Sequence, residues 1–204
     1  MLTKDPEITH FQSIPWVANL LSDESFKTIP TPSRQSKETT EDSFFAHTLN
    51  SPTTISACLT QYKLSRNGGE DEVEQLRMFI TLGCDVNGYP RTLHGGMVSS
   101  LLDESMGLLL MVRGDVAASK DRERSGPNGE AGRGESHLSE TPVTAYLNIR
   151  FLRPVITPGT VVLRTQLKEA KENRKWTIEG KIRDEEGRDL ARGECLYVKI
   201  RAKV

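Results

Sequence analysis

Four β-rich runs, TAYLNIRFLR (144–153), TVVLRTQLKEA (160–170), RKWTIEGKIRD (174–184) and DLARGECLYVKIRA (189–202), follow a single leucine-rich segment at 95–112. Nothing else constrains the fold as much, because the apolar faces of four strands have one helix to cover them. The joins TPG, KEN and EEGR are short and turn-like, so consecutive strands are expected to pair antiparallel. QLRMFITLGCDV (75–86) reads as a further strand ahead of the helix, closed by the turn NGYPR (87–91). One strand, one long helix and four strands make an α+β pattern: a curved antiparallel β-sheet wrapped around one long central helix. Upstream, Ser51-Pro52 supplies a cap and a first-turn proline, and Ile55, Cys58, Leu59 and Tyr62 have the spacing of a short helix. The alternation Ile55, Ala57, Leu59 leaves a strand open there.

A chain of 204 residues allows one domain with an appendage. Residues 1–50 are expected to form an N-terminal extension with a polar linker, TIPTPSRQSKETTED, and residues 22–43 to be loosely ordered. The domain proper then spans 51–204. Within it, 113–141 is charged and glycine-rich and is expected to be a flexible insertion, since a structureless loop of that length is uncommon in a compact domain.

The net charge of −1 gives no field that would draw the chain to nucleic acid or an anionic membrane. Cys58, Cys84 and Cys195 are odd in number and widely spaced, which reads as free thiols in a reducing compartment. MLTKDPEITHF has neither the apolar core of a signal peptide nor the Arg-rich look of a transit peptide. No apolar run reaches the ~20 residues that a membrane span needs. The expectation is a cytoplasmic protein, with the mitochondrion and peroxisome left open. His10, His47, His94 and His137 contain no HxxxH pair, so no metal site is expected. GPNGEAGRGE lacks the Lys-Ser/Thr that ends a phosphate loop.

The stretch LHGGMVSSLLDESMG (93–107) carries the chemistry. At ~100° per residue, Gly96, Ser99, Ser100, Gly107 and Leu110 fall within roughly 60° of Asp103. Val98, Leu101, Leu102, Leu108, Leu109 and Val112 fall on the far side, toward the sheet. Asp103 therefore stands on a stripe of small residues, where another backbone or a ligand can come close. Gly95 and Gly96 open the helix, at the positive end of its dipole, and leave its first N–H groups accessible to an oxyanion. Asp103 lies seven residues beyond Gly96, about 10 Å along the axis at ~1.5 Å per residue. One helix cannot bring both to one reacting carbon, whereas two antiparallel copies about a two-fold axis can.

LHGGMVSSLLDESMG followed by TAYLNIRFLRP resembles the hotdog-fold acyl-CoA thioesterases, in particular the phenylacetate-pathway (PaaI-like) and thioesterase-superfamily-member branches. The resemblance covers roughly residues 75–202. It implies Asp103 as general base or nucleophile, the Gly95 amide as oxyanion donor, His94 as support for the helix start or polariser of the carbonyl, and Thr144 as the residue that orients water. It also implies that Gly96, with Arg174 and Lys175 at the KEN turn, contacts the coenzyme A part of the substrate. No cofactor is expected, because coenzyme A enters with the substrate. A homodimer, or a dimer of dimers, is expected as the working unit. Asn87 stands one step before the position at which several relatives carry Asn or Gln, which is Gly88 here. Two rival readings remain: a hydratase or dehydratase on the same fold, and a non-catalytic acyl-CoA-binding or scaffolding protein. Acyl-carrier-protein thioesters stand beside acyl-CoA as substrates.

Overall fold

The computed structural model describes residues 5–65, 73–125, 142–172 and 174–199. Two short helices, α1 (Pro6–Gln12) and α2 (Pro15–Leu21), precede an edge strand β1 (Phe26–Pro30). Then come β2 (Ile55–Leu64), β3 (Val73–Leu82), a small hairpin β4 (Asn87–Tyr89) and β5 (Thr92–Leu93), and the helix α3 (Gly95–Ser125). Four strands finish the chain: β6 (Pro142–Phe151), β7 (Gly159–Lys171), β8 (Lys175–Arg183) and β9 (Asp189–Lys199). Seven strands form one antiparallel sheet in the order β1-β2-β3-β7-β8-β9-β6. α3 lies across its inner face.

The helix buries the side that the sequence assigns to the core: Val98, Leu101, Leu102, Leu108, Leu109 and Val112 are all buried. Asp103, Ser99, Ser100 and Gly107 are half-buried on the other side. By length and composition Gly95–Lys120 is apolar enough to cross a membrane, but half of that window is buried inside the protein. The close approach of α3 to the sheet depends on two glycines paired across β8 and β9, Gly180 and Gly193. A Cβ at Gly180 would stand 3.2 Å from Leu102 and 3.3 Å from Met106, and one at Gly193 would stand 3.2 Å from Leu102. Those methyl and thioether ends must then shift in a filled core. Gly180→Ala with Gly193→Ala is expected to lower stability by about 1–3 kcal/mol, read as a fall in the urea midpoint. An unchanged midpoint would mean that the helix does not need these glycines.

Four expectations are corrected. The 55–62 segment is strand, not helix. Its inner face meets the main core at Ile55 and Cys58, and its outer face meets a second core of Phe11, Val17, Phe79 and Val162 at Ala57 and Leu59. A strand buried on both faces reads as a nearly continuous apolar run. The 22–43 segment is ordered by polar contacts rather than by apolar burial. Arg34 donates to the carbonyls of Phe45 (3.1 Å), Leu49 (3.0 Å) and Ile55 (2.9 Å), and Thr31 shares a buried hydrogen bond with Thr60 at 2.9 Å. Glu7 accepts the backbone N–H of Cys58 at 2.9 Å, just beyond the end of the β1–β2 pairing. The helix runs through 113–125. Ala117, Ala118, Lys120 and Arg122 favour helix, and the first strong breaker is Gly126-Pro127. The rest of the expected flexible insertion, 126–141, lies outside the described residues.

β6 and β7 do not form the expected hairpin. Residues 152–158 cross the end of the sheet instead. The N–H groups of Leu152 and Arg153 donate to the carbonyl of Leu190, at 2.8 and 3.0 Å. Leu93 donates to Val155 at 2.9 Å and Thr157 to Arg91 at 3.2 Å. β6 thereby becomes the second edge of the sheet, paired only with β9.

Candidate active site

Asp103 sits two turns into α3, beneath β6 and β9. Thr144 of β6 donates its hydroxyl to Asp103 Oδ1 at 2.8 Å. Tyr197 of β9 donates to the same oxygen at 3.1 Å and reaches the Asp103 carbonyl at 2.8 Å. The Cys195 thiol lies 4.0 Å from Oδ1. Strand register explains the grouping, since Thr144 stands opposite Tyr197, and Cys195 and Tyr197 share one face of β9. Gly107 completes the arrangement: a Cβ there would lie 3.5 Å from the Tyr197 hydroxyl.

Burial, reinforced by the Asp103 charge, pushes the Tyr197 phenol well above its ordinary range. Burial likewise pushes the Cys195 thiol up to about 11. Both remain protonated and serve as donors. These three contacts go to Oδ1, so Oδ2 has no hydrogen-bond partner among the described residues. The carboxylate is held on one side and open on the other.

The second group forms where α3 begins. His94 donates its N–H to the Val86 carbonyl at 2.9 Å, and its ring Nδ1 accepts the N–H of Gly96 at 3.0 Å. An accepting Nδ1 assigns the remaining ring proton to Nε2, leaving that N–H as a donor. The N–H of Gly95 has no partner among the described residues. A cleft of about 600 Å³ opens here, lined by His94, Gly95, Val98, Tyr89, Phe151 and Leu152 among others. A Cβ on Gly95 would lie 3.7 Å from the Phe151 ring. Asn87 is committed elsewhere, accepting a short hydrogen bond from the Thr157 hydroxyl.

The two groups do not meet within one chain. Thr144 and Asp103 mark one end of β6, and Phe151 and Gly95 the other. Arg174 and Lys175 lie with the first group. A cleft of about 330 Å³ is lined by Lys171, Arg174, Lys175 and Lys199, and Lys175 is one register step from the Thr144–Tyr197–Trp176 row. Glu104 turns away from both groups, toward the N-terminal segment. Burial raises its carboxyl to about 7, Asp42 and Asp103 add to the rise, and Ser33 and Lys37 oppose it. Among the described residues, no group of three or more His, Cys, Asp or Glu stands close enough to hold a metal ion.

Tyr197 and Cys195 are the site residues that sequence reading missed. The pattern Gly193, Cys195, Tyr197 was the available signal. Three residues at strand spacing share the face that looks onto the helix, and the first of them is too small to fill it.

Residues 91–191 match the family model for the thioesterase superfamily. Verlamelin biosynthesis protein B of a Lecanicillium species is 26% identical over 164 residues, covering 76% of this chain and 71% of its own length. Among solved structures, a thioesterase superfamily protein is 23% identical, with 68% of this chain and 55% of that chain covered and a TM-score of 0.45. The match thus spans little more than half of that protein's length. The E. coli PaaI protein from the phenylacetic acid degradation operon is 15% identical, with 63% and 75% covered and a TM-score of 0.46. The matched stretch holds the His94–Gly96 turn, α3, β6, β7, β8 and the start of β9, the parts that wrap the sheet around its helix. By that match and that architecture, residues 91–191 belong to the thioesterase superfamily and the chain has its hotdog fold.

Proposed function

We propose that the protein hydrolyses acyl-CoA thioesters to a free acid and coenzyme A, in a site shared by two copies of the chain. The observation that carries this reading is the Asp103 carboxylate, fixed through Oδ1 by Thr144 and Tyr197 with Oδ2 left open. The thioester carbonyl takes the free N–H of Gly95 at the positive end of α3, with the Nε2–H of His94 beside it. The Gly96 amide acts indirectly, by holding the imidazole. Oδ2 of Asp103 either takes a proton from a water that attacks the carbonyl carbon, or attacks it directly to give a mixed anhydride that water then hydrolyses. In both routes the C–S bond breaks and the water's proton ends on the coenzyme A sulfur. The acyl group is already activated, so the reaction needs no cofactor. Arg174 and Lys175 meet the nucleotide phosphates.

Thr144 and Phe151 are seven residues apart on β6, about 23 Å at ~3.3 Å per residue. A second copy pairing its own β6 antiparallel on this free edge, with the dyad between Leu147 and Asn148, lays Thr144 of each beside Phe151 of the other. The same dyad passes by Ser99, midway from Gly95 to Asp103 on the small-residue stripe. Tyr146, Phe151 and Leu152, exposed on and just after β6, give the pairing apolar area to bury.

A thiol-release assay across short, long and aromatic acyl-CoAs, with an acyl-carrier-protein thioester as comparison, tests the reaction. One thiol released per acid formed, well above the spontaneous rate for at least one acyl-CoA, is the expected result. Background rates on every acyl-CoA would overturn the reading.

A further inference from the structure

We propose that the outer face of the sheet, opposite α3, carries a binding site for a dianionic phosphate group built by Arg164, Lys181 and Arg183. Register sets it up. Arg77 stands opposite Arg164, Arg164 opposite Lys181, Lys181 opposite Arg192, and Arg192 opposite Arg150. Five cations thus lie side by side across five strands, neighbours about 4.8 Å apart. Like charges directly opposite one another destabilise a sheet.

Most of the row is compensated. Arg77 donates to Gln61 at 2.7 Å, bonds the Leu20 carbonyl and lies 3.8 Å from Asp23. Lys181 has Glu179 at 3.4 Å, and Arg192 has Asp189 at 2.7 Å. Arg183, diagonal to Arg164 on β8, has Asp189 at 2.6 Å. The side chain of Arg164, near the centre, has no hydrogen bond or ion pair among the described residues, and its Nε is buried and unsatisfied. Burial and the Arg183 charge push its pKa below the usual guanidinium range.

Arg164 lines a cleft of about 120 Å³ with Gln75, Gln166, Lys181 and Arg183. That is the volume of about four water molecules, room for a tetrahedral oxyanion. The acid in its wall, Glu179, is already held by Lys168 at 3.1 Å, Gln166 at 3.2 Å and Lys181. A phosphate supplies several oxygens and two charges to a planar fork and two flanking cations, a match that a single carboxylate does not make. The sheet separates this cleft from Asp103, so its ligand is not the thioester.

The test uses the full chain in a zwitterionic buffer at constant ionic strength. Inorganic phosphate and phenyl phosphate are titrated separately, with melting temperature and heat of binding followed. A saturable rise in melting temperature is expected with at least one of them. A stronger response to phenyl phosphate identifies a monoester terminus as the ligand, and the reverse identifies the free ion. Arg164→Gln should weaken the response about tenfold or more. Without phosphate, the same variant should melt no lower than wild type, because it removes an unpaired, part-buried charge. Its thioester hydrolysis should be unchanged, so this result stands apart from the proposed reaction. Lys181→Gln should weaken binding to a lesser degree. A response that never saturates, or that survives in Arg164→Gln, overturns the site. A fall in melting temperature in that variant with phosphate binding intact assigns Arg164 to packing and overturns it equally.

Discussion

Asp103→Asn is expected to lower kcat for thioester hydrolysis by about 10²–10⁴-fold, the usual contribution of a positioned base, while leaving the melting temperature near wild type. The amide keeps an oxygen to accept from Thr144 and Tyr197, now at 2.8 and 3.1 Å, so the local hydrogen bonds survive. What disappears is the charge and the basic Oδ2. The side chain is half-buried on the face turned away from Leu101, Leu102 and Leu109, so no core contact is lost. Near-normal turnover by a well-folded Asp103→Asn protein would remove Asp103 from the reaction. A collapse of stability would instead make it a structural residue.

The second expected result concerns two dead proteins that revive one another. One carries Asp103→Ala and the other Gly95→Pro. Proline removes the unpartnered N–H of Gly95, suits the first position of a helix, and would have the Phe151 ring at ordinary contact distance. Each homodimer should be inactive. In the heterodimer of a shared-site enzyme, one site holds both lesions and the other holds neither, so co-expression should restore about half of the wild-type activity per dimer. The structure motivates the test by setting the two groups at opposite ends of β6. Confirmed heterodimers that stay inactive would place both groups of each site on one chain.

The sequence was most informative where one physical signal acted alone. The leucine side of α3, the stripe around Asp103 and the late strands were legible because burial on one face leaves a clear period. The inner placement of Thr144 beside Asp103 came from a family resemblance, not from spacing. What stayed hidden had competing or unpatterned causes. Ile55 to Leu59 lost its alternation because both faces are buried. Residues 26–34 are ordered by Arg34 and Thr31 reaching backbone and hydroxyl groups distant in sequence, and composition does not record such contacts. The crossing at 152–158 looks like a hairpin locally, and its partners, Leu190, Leu93 and Arg91, settle it from elsewhere. Tyr197 was passed over because its chemistry appears only when β9 is laid over the helix.

The two edges of the sheet are not alike. Along β2, β1 covers part of the backbone, Glu7 takes the next N–H at Cys58, and Arg34 takes the carbonyl of Ile55. β6 carries no such cover among the described residues. In polymer terms the two ends differ in reactivity: β6 offers ten residues of open strand, whereas β1 offers five that end in Pro30. If copies pair through β6, growth by strand addition, which threatens any protein with an open edge, then has only the short, proline-ended β1 to continue from. A poor second edge of this kind, short and closed by a proline, would let an exposed apolar strand persist without seeding fibres.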